Sequence, residues 1–343
     1  MKKVLVTGGC GYIGSHTIID LLNNGFEVIS VDNNSNSDLR ALNGIHEITG
    51  HRVKNYTVDL CDYEKTAKIF RNESFDGVIH FAALKSVGES VGEPLRYFNN
   101  NITSLLNVLQ CCKENKVENF IFSSSCSVYG NAIDLPVTED TAFEVAECPY
   151  ARTKQMGEHI IQDFSFANKN IKSINLRYFN PAGAHPSAMI GEASLNPPTN
   201  LVPVITETAI GKRESLTVFG NDYDTRDGSC IRDYIHVMDL ANAHTKALQY
   251  LIDGKNESNC EVFNLGIGEG VTVLEAITAF EKVSGKKLNY ILGDRRPGDV
   301  VSIYASMDKA KSKLNWETQY NIEDIMRSAW EWEMKRTETV LQN

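Results

Sequence analysis

Tyr150 and Lys154 stand four residues apart in Pro149-Tyr150-Ala151-Arg152-Thr153-Lys154, a spacing that sets a phenol and an ammonium one above the other on a helix face. A neighbouring cation lowers a phenol from its usual pKa of ~10, so such a pair can act as a base near neutral pH. The pair alone means little, because tyrosines and lysines meet at this spacing by chance. Its setting supplies the meaning: it follows a segment ending in Ser123-Ser124-Ser125, whose hydroxyls could share a substrate proton. Far upstream, Gly8-Gly9-Cys10-Gly11-Tyr12-Ile13-Gly14 lies between an apolar run and the start of a helix. Glycines there let the backbone turn tightly and approach a pyrophosphate, whose charge sits on the free N–H groups of the helix N-terminus. Asp32 ends the next apolar run, where a carboxylate accepts from the ribose hydroxyls and repels a 2′-phosphate. NAD is therefore favoured over NADP.

The elements that must position these residues alternate. Val4–Thr7, Glu27–Val31, Arg52–Val58, Gly77–Phe81, Phe120–Ser124 and Ile171–Leu176 read as strands. Between them, Ile13–Asn23, Asp38–Thr49, Tyr63–Phe70, Pro94–Cys112 and Tyr150–Phe166 read as amphipathic helices. Such alternation predicts an α/β protein with a Rossmann-like, doubly wound parallel sheet, here of six strands. Leu95, Phe98, Ile102, Leu105, Leu106 and Leu109 recur at helical spacing and predict a core-facing stripe. After Asn180 the texture changes, with Pro181, Pro186, Pro197, Pro198 and Pro203 crowded together. A boundary there predicts residues 1–180 as the nucleotide domain and 181–343 as a smaller α/β substrate domain, with 232–255 packing back on the first.

Composition excludes several classes. The 343 residues carry 34 Lys+Arg against 44 Asp+Glu, a net charge of −10, which argues against a nucleic-acid binder. No apolar run approaches the ~20 residues needed to span a bilayer, and Thr7-Gly8-Gly9 cuts short any resemblance to a signal peptide. The eight cysteines contain no Cys-x-x-Cys pair and the eight histidines no zinc spacing. Reduced thiols in a cytoplasmic protein without a metal are expected, and His16, His80 and His236 are read as packed residues.

The chain resembles the extended short-chain dehydrogenase/reductase family over nearly its whole length. The resemblance rests on the Thr7–His16 stretch, on His80-Phe81-Ala82-Ala83, on the Tyr150/Lys154 pair, on Arg177-Tyr178-Phe179-Asn180-Pro181 and on Arg232-Asp233-Tyr234-Ile235-His236-Val237. Within that family these motifs are closest to the sugar-nucleotide 4-epimerases. The resemblance implies bound NAD, met by Gly8, Gly11, Tyr12, Ile13, Gly14, Asp32, Asn33, Asn36, Ser37, Asp59, Leu60, Phe81, Ala82, Ala83, Lys85, Asn100, Ser123, Tyr150, Lys154, Tyr178 and Phe179. It implies a UDP-sugar met by Lys85, Ser125, Tyr150, Asn180, Asn200, Leu201, Thr217, Val218, Phe219, Arg232, Arg296 and Asp299. Two arginines suit a diphosphate, because the guanidinium fork matches phosphate oxygens. It also implies a homodimer formed through the helices near 94–112 and 150–166.

Relatives that eliminate water carry an Asp-Glu pair after the hydroxyl residue, because elimination needs a general acid and a base. Here Cys126 and Ser127 follow Ser125, so reversible oxidation at C4 of UDP-galactose and UDP-glucose is expected, with Tyr150, Lys154 and Ser125 catalytic. Other UDP-sugars (UDP-GlcNAc, a uronic acid or a pentose derivative) stay open, since Ile303 is of middling size near a position that admits or excludes an acetamido group. Thr199 stands where these epimerases often show an Asn. A non-catalytic NAD(H) sensor on the same fold is the alternative of a different class; it would be expected to lack the Tyr/Lys pair.

Overall fold

Val4, Leu5 and Val6 are wholly buried, as expected of a strand covered on both faces. They belong to β1 (Lys3–Thr7), which opens a βα succession: α1 (Tyr12–Asn23), β2 (Glu27–Val31), α2 (Arg40–Thr49), β3 (Lys54–Tyr56), α3 (Tyr63–Asn72) and β4 (Gly77–His80). It continues through α4 (Val87–Gly92), α5 (Pro94–Glu114), β5 (Asn119–Ser123), α6 (Pro149–Ala167) and β6 (Lys172–Tyr178). The structure is a computed structural model that describes residues 1–193, 195–296 and 299–341, the last three of these in backbone only.

The second half brings β7 (Asn180–Ala182), α7 (Leu201–Ala209), β8 (Leu216–Phe219), β9 (Ile231–Arg232), β10 (Tyr234–His236), α8 (Val237–Ile252) and β11 (Cys260–Leu265). It ends with β12 (Val271–Thr272), α9 (Val273–Ser284), β13 (Tyr290–Gly293), β14 (Ser302–Ile303), α10 (Asp308–Leu314) and α11 (Ile322–Leu341). The main sheet has seven strands in the order β11-β6-β5-β4-β1-β2-β3, and every pairing in it is parallel. The sequence predicts six. The seventh, β11, is the Glu261–Asn264 run, which pattern alone assigns to the second half because a strand's sheet partner lies outside its own residues. It reaches the edge because α8 first returns to pack against α1.

One face of the sheet is closed by a core that includes Ile18, Ile45, Leu248 and Trp316. The other is closed by Phe70, Leu105, Leu109 and Ile161. A third core, with Ile205, Val218, Phe280 and Trp330, holds α7, α9 and α11 around β8. The stripe on α5 is split: Leu105 and Leu109 are buried, while Leu95 is 81% and Leu106 48% exposed. The inner face of α5 is built instead on Tyr97, Asn101, Ser104, Val108, Cys111 and Cys112, small or hydrogen-bonding side chains that a hydrophobicity pattern does not register.

The β1–α1 turn leaves no room for a side chain at Gly14. A Cβ on Gly14 would lie 2.2 Å from the Gly8 carbonyl oxygen, and Gly8, at φ +67°, sits so close to β4's exit that its own Cβ would meet the Ala82 nitrogen at 3.0 Å. Gly14→Ala is therefore expected to cost about 1–3 kcal/mol through enforced backbone displacement. Denaturant unfolding measures that loss, and the variant should also retain less dinucleotide through purification.

Candidate active site

All seven strands of the main sheet run the same way, so their carboxyl ends share one edge, and β1 is flanked there by β2 and β4, whose connections leave in opposite directions. Open α/β sheets bind ligands at such a point. α1 starts at Tyr12 with Gly11 before it and no side-chain cap, which leaves its first N–H groups for an anion. Asp32, at the end of β2, accepts from the Cys10 amide at 3.0 Å, from the Asn34 amide at 2.9 Å and from Ser37 Oγ at 2.7 Å. It thereby ties the glycine loop to the loop holding Asn33, Asn36 and Ser37. Asp59 and Leu60 follow β3, Phe81, Ala82, Ala83 and Lys85 follow β4, Tyr178 ends β6 and Phe179 follows it. Leu60 is a core residue whose carbonyl receives the Asn107 amide at 2.8 Å, so it offers the cleft only backbone. A turn that admits no side chain, an uncapped helix end and an anchored carboxylate fit a dinucleotide without a 2′-phosphate.

Tyr150 enters α6 one residue after Pro149, and the Cys148 thiol caps the helix by accepting from the Ala151 amide at 3.5 Å. Lys154 follows one turn later, 4% exposed. Its Nζ donates to the Ser123 carbonyl at 2.6 Å and lies 5.8 Å from the Tyr150 ring centroid. Burial lowers the Lys154 pKa to about 8, opposed by Glu158. Burial also pushes the Tyr150 phenol well above its usual value, and Tyr178 adds to this, while the facing Ser125 hydroxyl works the other way. Sequence reasoning expects Lys154 to lower this phenol; here the ammonium is spent on the end of β5. Ser123 Oγ and Tyr178 Oη lie 2.6 Å apart, so β5 and β6 end in one hydroxyl cluster below Tyr150.

The second half faces this edge. Arg232 Nη2 lies 3.6 Å from Asp299 Oδ1, and Arg296 grips the same carboxylate with Nε at 3.1 Å and Nη2 at 2.7 Å. The Arg296 guanidinium lies 5.5 Å from the Phe219 ring. Thr217 and Val218 pair through β8 with β13, and Val218 is wholly buried, so it too can meet a ligand only by backbone. Asn180 Oδ1 is buried without a hydrogen-bond partner among the described residues. Asn200, before α7, donates to Glu192 Oε1 at 3.4 Å, and Lys85 reaches the same oxygen at 3.2 Å. Leu201 packs half-buried on the third core, and Ile303 is buried beside Phe179 and Val128.

His16, His80 and His236 are packed, as their spacing suggests. His80 meets Thr7 Oγ1 at 2.9 Å and His16 the Tyr12 carbonyl at 2.6 Å, and burial lowers both to about 3. His236 caps α8. All eight cysteines are free, and among the described residues no cluster could hold a metal and no helix is long and apolar enough to cross a membrane. A surface groove of about 510 Å³ beside Asp20, Lys246, Lys311 and Tyr320 contains none of the site residues. Sequence reasoning missed Glu192, which meets Lys85 and Asn200, Cys148, which caps α6 at the Ala151 amide, and Glu158, which grips Ser124 and Arg177 one turn beyond Lys154; none carries a motif of its own. Of these, only Glu158 leaves a signal, its four-residue spacing from Lys154.

This edge, with its glycine turn, carboxylate and Tyr/Lys helix, defines the extended class of short-chain dehydrogenases/reductases. The sequence model described as GDP-mannose 4,6 dehydratase matches residues 5–329. The chain is 48% identical over 334 residues to UDP-glucose 4-epimerase 2 of Arabidopsis thaliana, spanning 96% of this chain and 95% of the relative. It is 46% identical over 330 residues to the UDP-glucose 4-epimerase of Bacillus subtilis, spanning 96% of each. The crystal structure of UDP-glucose 4-epimerase from Bifidobacterium longum in complex with NAD+ and UDP superimposes with a TM-score of 0.94 at 43% identity, over 98% of this chain and 99% of that one. The chain belongs to the GDP-mannose 4,6 dehydratase family, and these relatives within it are UDP-glucose 4-epimerases.

Arg232 owes its place to its neighbour. Asp233 is fully buried and accepts from the amides of Ile267 at 2.7 Å, Gly268 at 3.4 Å and Ala305 at 3.2 Å. Burial raises its carboxyl to about 6, the amides opposing. A carboxyl that holds its proton more tightly when folded loses its share of stability as pH rises from the unfolded value near 4 to about 6, and the loss is complete above that. Asp233→Ala strands three buried amides and should cost about 3 kcal/mol, measurable by urea unfolding at pH 7.

Proposed function

We propose that this chain is an NAD-dependent epimerase that interconverts UDP-galactose and UDP-glucose through a transient 4-keto sugar. The observation that carries the reading is the Tyr150/Lys154 pair at the carboxyl edge of the sheet, with Lys154 on the Ser123 carbonyl of the Ser123–Ser125 strand end, beside a glycine turn that has no room for a side chain at Gly14. The identity to UDP-glucose 4-epimerases over almost the whole chain supports the same substrate.

Tyr150 removes the proton of the C4 hydroxyl while Ser125 donates to that oxygen, so the charge developing on it is shared before it leaves. NAD, when bound, supplies the reversible two-electron acceptor and a positive charge beside the phenol. Lys154 keeps the end of β5 in place and adds its charge beneath Tyr150. Arg232 and Arg296 take the diphosphate, with Asp299 setting the angle of both guanidinium forks. Asn180, with its unpaired buried oxygen, and the backbone at Thr217, Val218 and Phe219 complete the grip on the nucleotide. The hexose, held less firmly, turns over and is reduced on its other face. Cys126 and Ser127 offer no carboxyl beside Ser125, so the 4-keto sugar has no acid and base with which to lose water.

The same reading assigns residues 1–180 to NAD and 181–343 to the UDP-sugar, with 232–255 returning to the first part. It makes the enzyme a homodimer through α5 and α6, supported by the exposure of Leu95, Leu106 and Met156 on those helices. Eight free thiols accord with the cytoplasm.

Tyr150→Phe should lower kcat for UDP-galactose by at least ~10²-fold with KM changed little, because the phenol acts on the proton in flight. Near-normal turnover overturns the mechanism. Sedimentation should show a concentration-dependent dimer of 38.2 kDa chains, and Leu106→Glu should yield a monomer.

A further inference from the structure

Glu158 lies one helical turn beyond Lys154 on α6 and is 4% exposed, and the mechanism above makes no use of it. Arg177 Nε lies 2.9 and 3.1 Å from its two oxygens and Nη2 2.7 Å from the second. Ser124 Oγ donates to the first. The guanidinium is itself fixed: Nη1 donates to the Tyr129 phenol at 2.9 Å and to the Glu139 carbonyl at 3.3 Å, and the rings of Tyr129 and Phe143 lie 5.0 and 4.8 Å from it. As a stabiliser such a buried pair is poor, because desolvating both ions offsets their attraction. Its location suggests a different use. Ser124 is the middle of three serines; Ser123 before it takes the Lys154 ammonium on its carbonyl, and Ser125 after it faces Tyr150. Gripping Ser124 therefore sets both neighbours at once. Around Lys154 stand Tyr150 on its own helix, His80 from β4, held neutral by burial, Phe122 and Ser123 from β5, and Glu158. Glu158 supplies the negative charge in this set.

We propose that Glu158 is a positioning residue of the Tyr150/Lys154 pair: through Ser124 it holds the Ser123–Ser125 strand end in register with α6, and it sets a carboxylate one helical turn from the Lys154 ammonium, with Arg177 as its fixed counter-ion. The proposal rests on the epimerase reading and deepens it.

The test is the pH profile of kcat for UDP-galactose on NAD-loaded enzyme. In the native chain kcat should fall as pH rises through about 8, where Lys154 loses its proton. Glu158→Gln combined with Arg177→Met removes both buried charges together, so no lone ion is stranded. In that variant the alkaline limb should move towards lower pH, with KM within about threefold of native. Should it fail to fold, Glu158→Asp keeps a charge for Arg177 but withdraws it by one methylene, and a smaller shift in the same direction is expected. A limb that stays in place in a folded variant overturns the proposal, whatever happens to kcat, since a merely structural role lowers activity at all pH values alike. Absence of turnover by the native chain would overturn the epimerase reading instead, so the two failures are distinct.

Discussion

The approach of the Gly8 carbonyl to Gly14, too close for any side-chain carbon between them, is the constraint on which the rest depends. It brings the start of α1 over the end of β1, and a helix N-terminus directed at that edge becomes the anchor for a phosphate group. Once the anchor is set, the distance from it to any reacting carbon is a property of the ligand. The side chains proposed as catalytic must then lie a fixed way along the sheet, and they do: Ser125 follows β5, and Tyr150 and Lys154 stand on α6, which joins β5 to β6, two and three strands from β1.

Burial governs the chemistry at that distance. Desolvation alone leaves Tyr150 with a pKa unsuited to a base and draws Lys154 down to about 8. The chain answers with polar partners at close range: Ser125 for the phenol, Ser123 for the ammonium, and Glu158 behind both. The two arginines follow a different plan: Arg232 is mostly buried and Arg296 half exposed, and both reach the Asp299 carboxylate, so two cations stand together in a chain whose net charge is −10.

The sheet and most of its helices were legible in the sequence because parallel strands buried on both faces are near-continuous apolar runs, while the helices between them are amphipathic. Expected and observed boundaries of β2 and α1 agree within a residue. Short pairs such as β9 with β12 and β14 left no pattern, since two residues cannot show a period. The α5 stripe misled for the opposite reason: a helical period shows that Leu95 and Leu106 share a face with others, but not what covers that face.

For the site, the residue types and motif spacings of the sequence determined the glycine turn, the carboxylate after β2 and the Tyr/Lys pair, because each is a local arrangement within a few residues of one element. Only the tertiary structure decided that Lys154 donates to the end of β5 while its ammonium lies 5.8 Å from the Tyr150 ring, that the Leu60 and Val218 side chains are buried in the cores, and that β11 closes the sheet. It also decided that Asp233 takes the amides of Ile267, Gly268 and Ala305, that Glu158 grips Ser124 and Arg177, and that Glu192 meets Lys85 and Asn200. These depend on partners tens to hundreds of residues away, whose approach is set by packing across the sheet and not by any pattern in the neighbouring sequence.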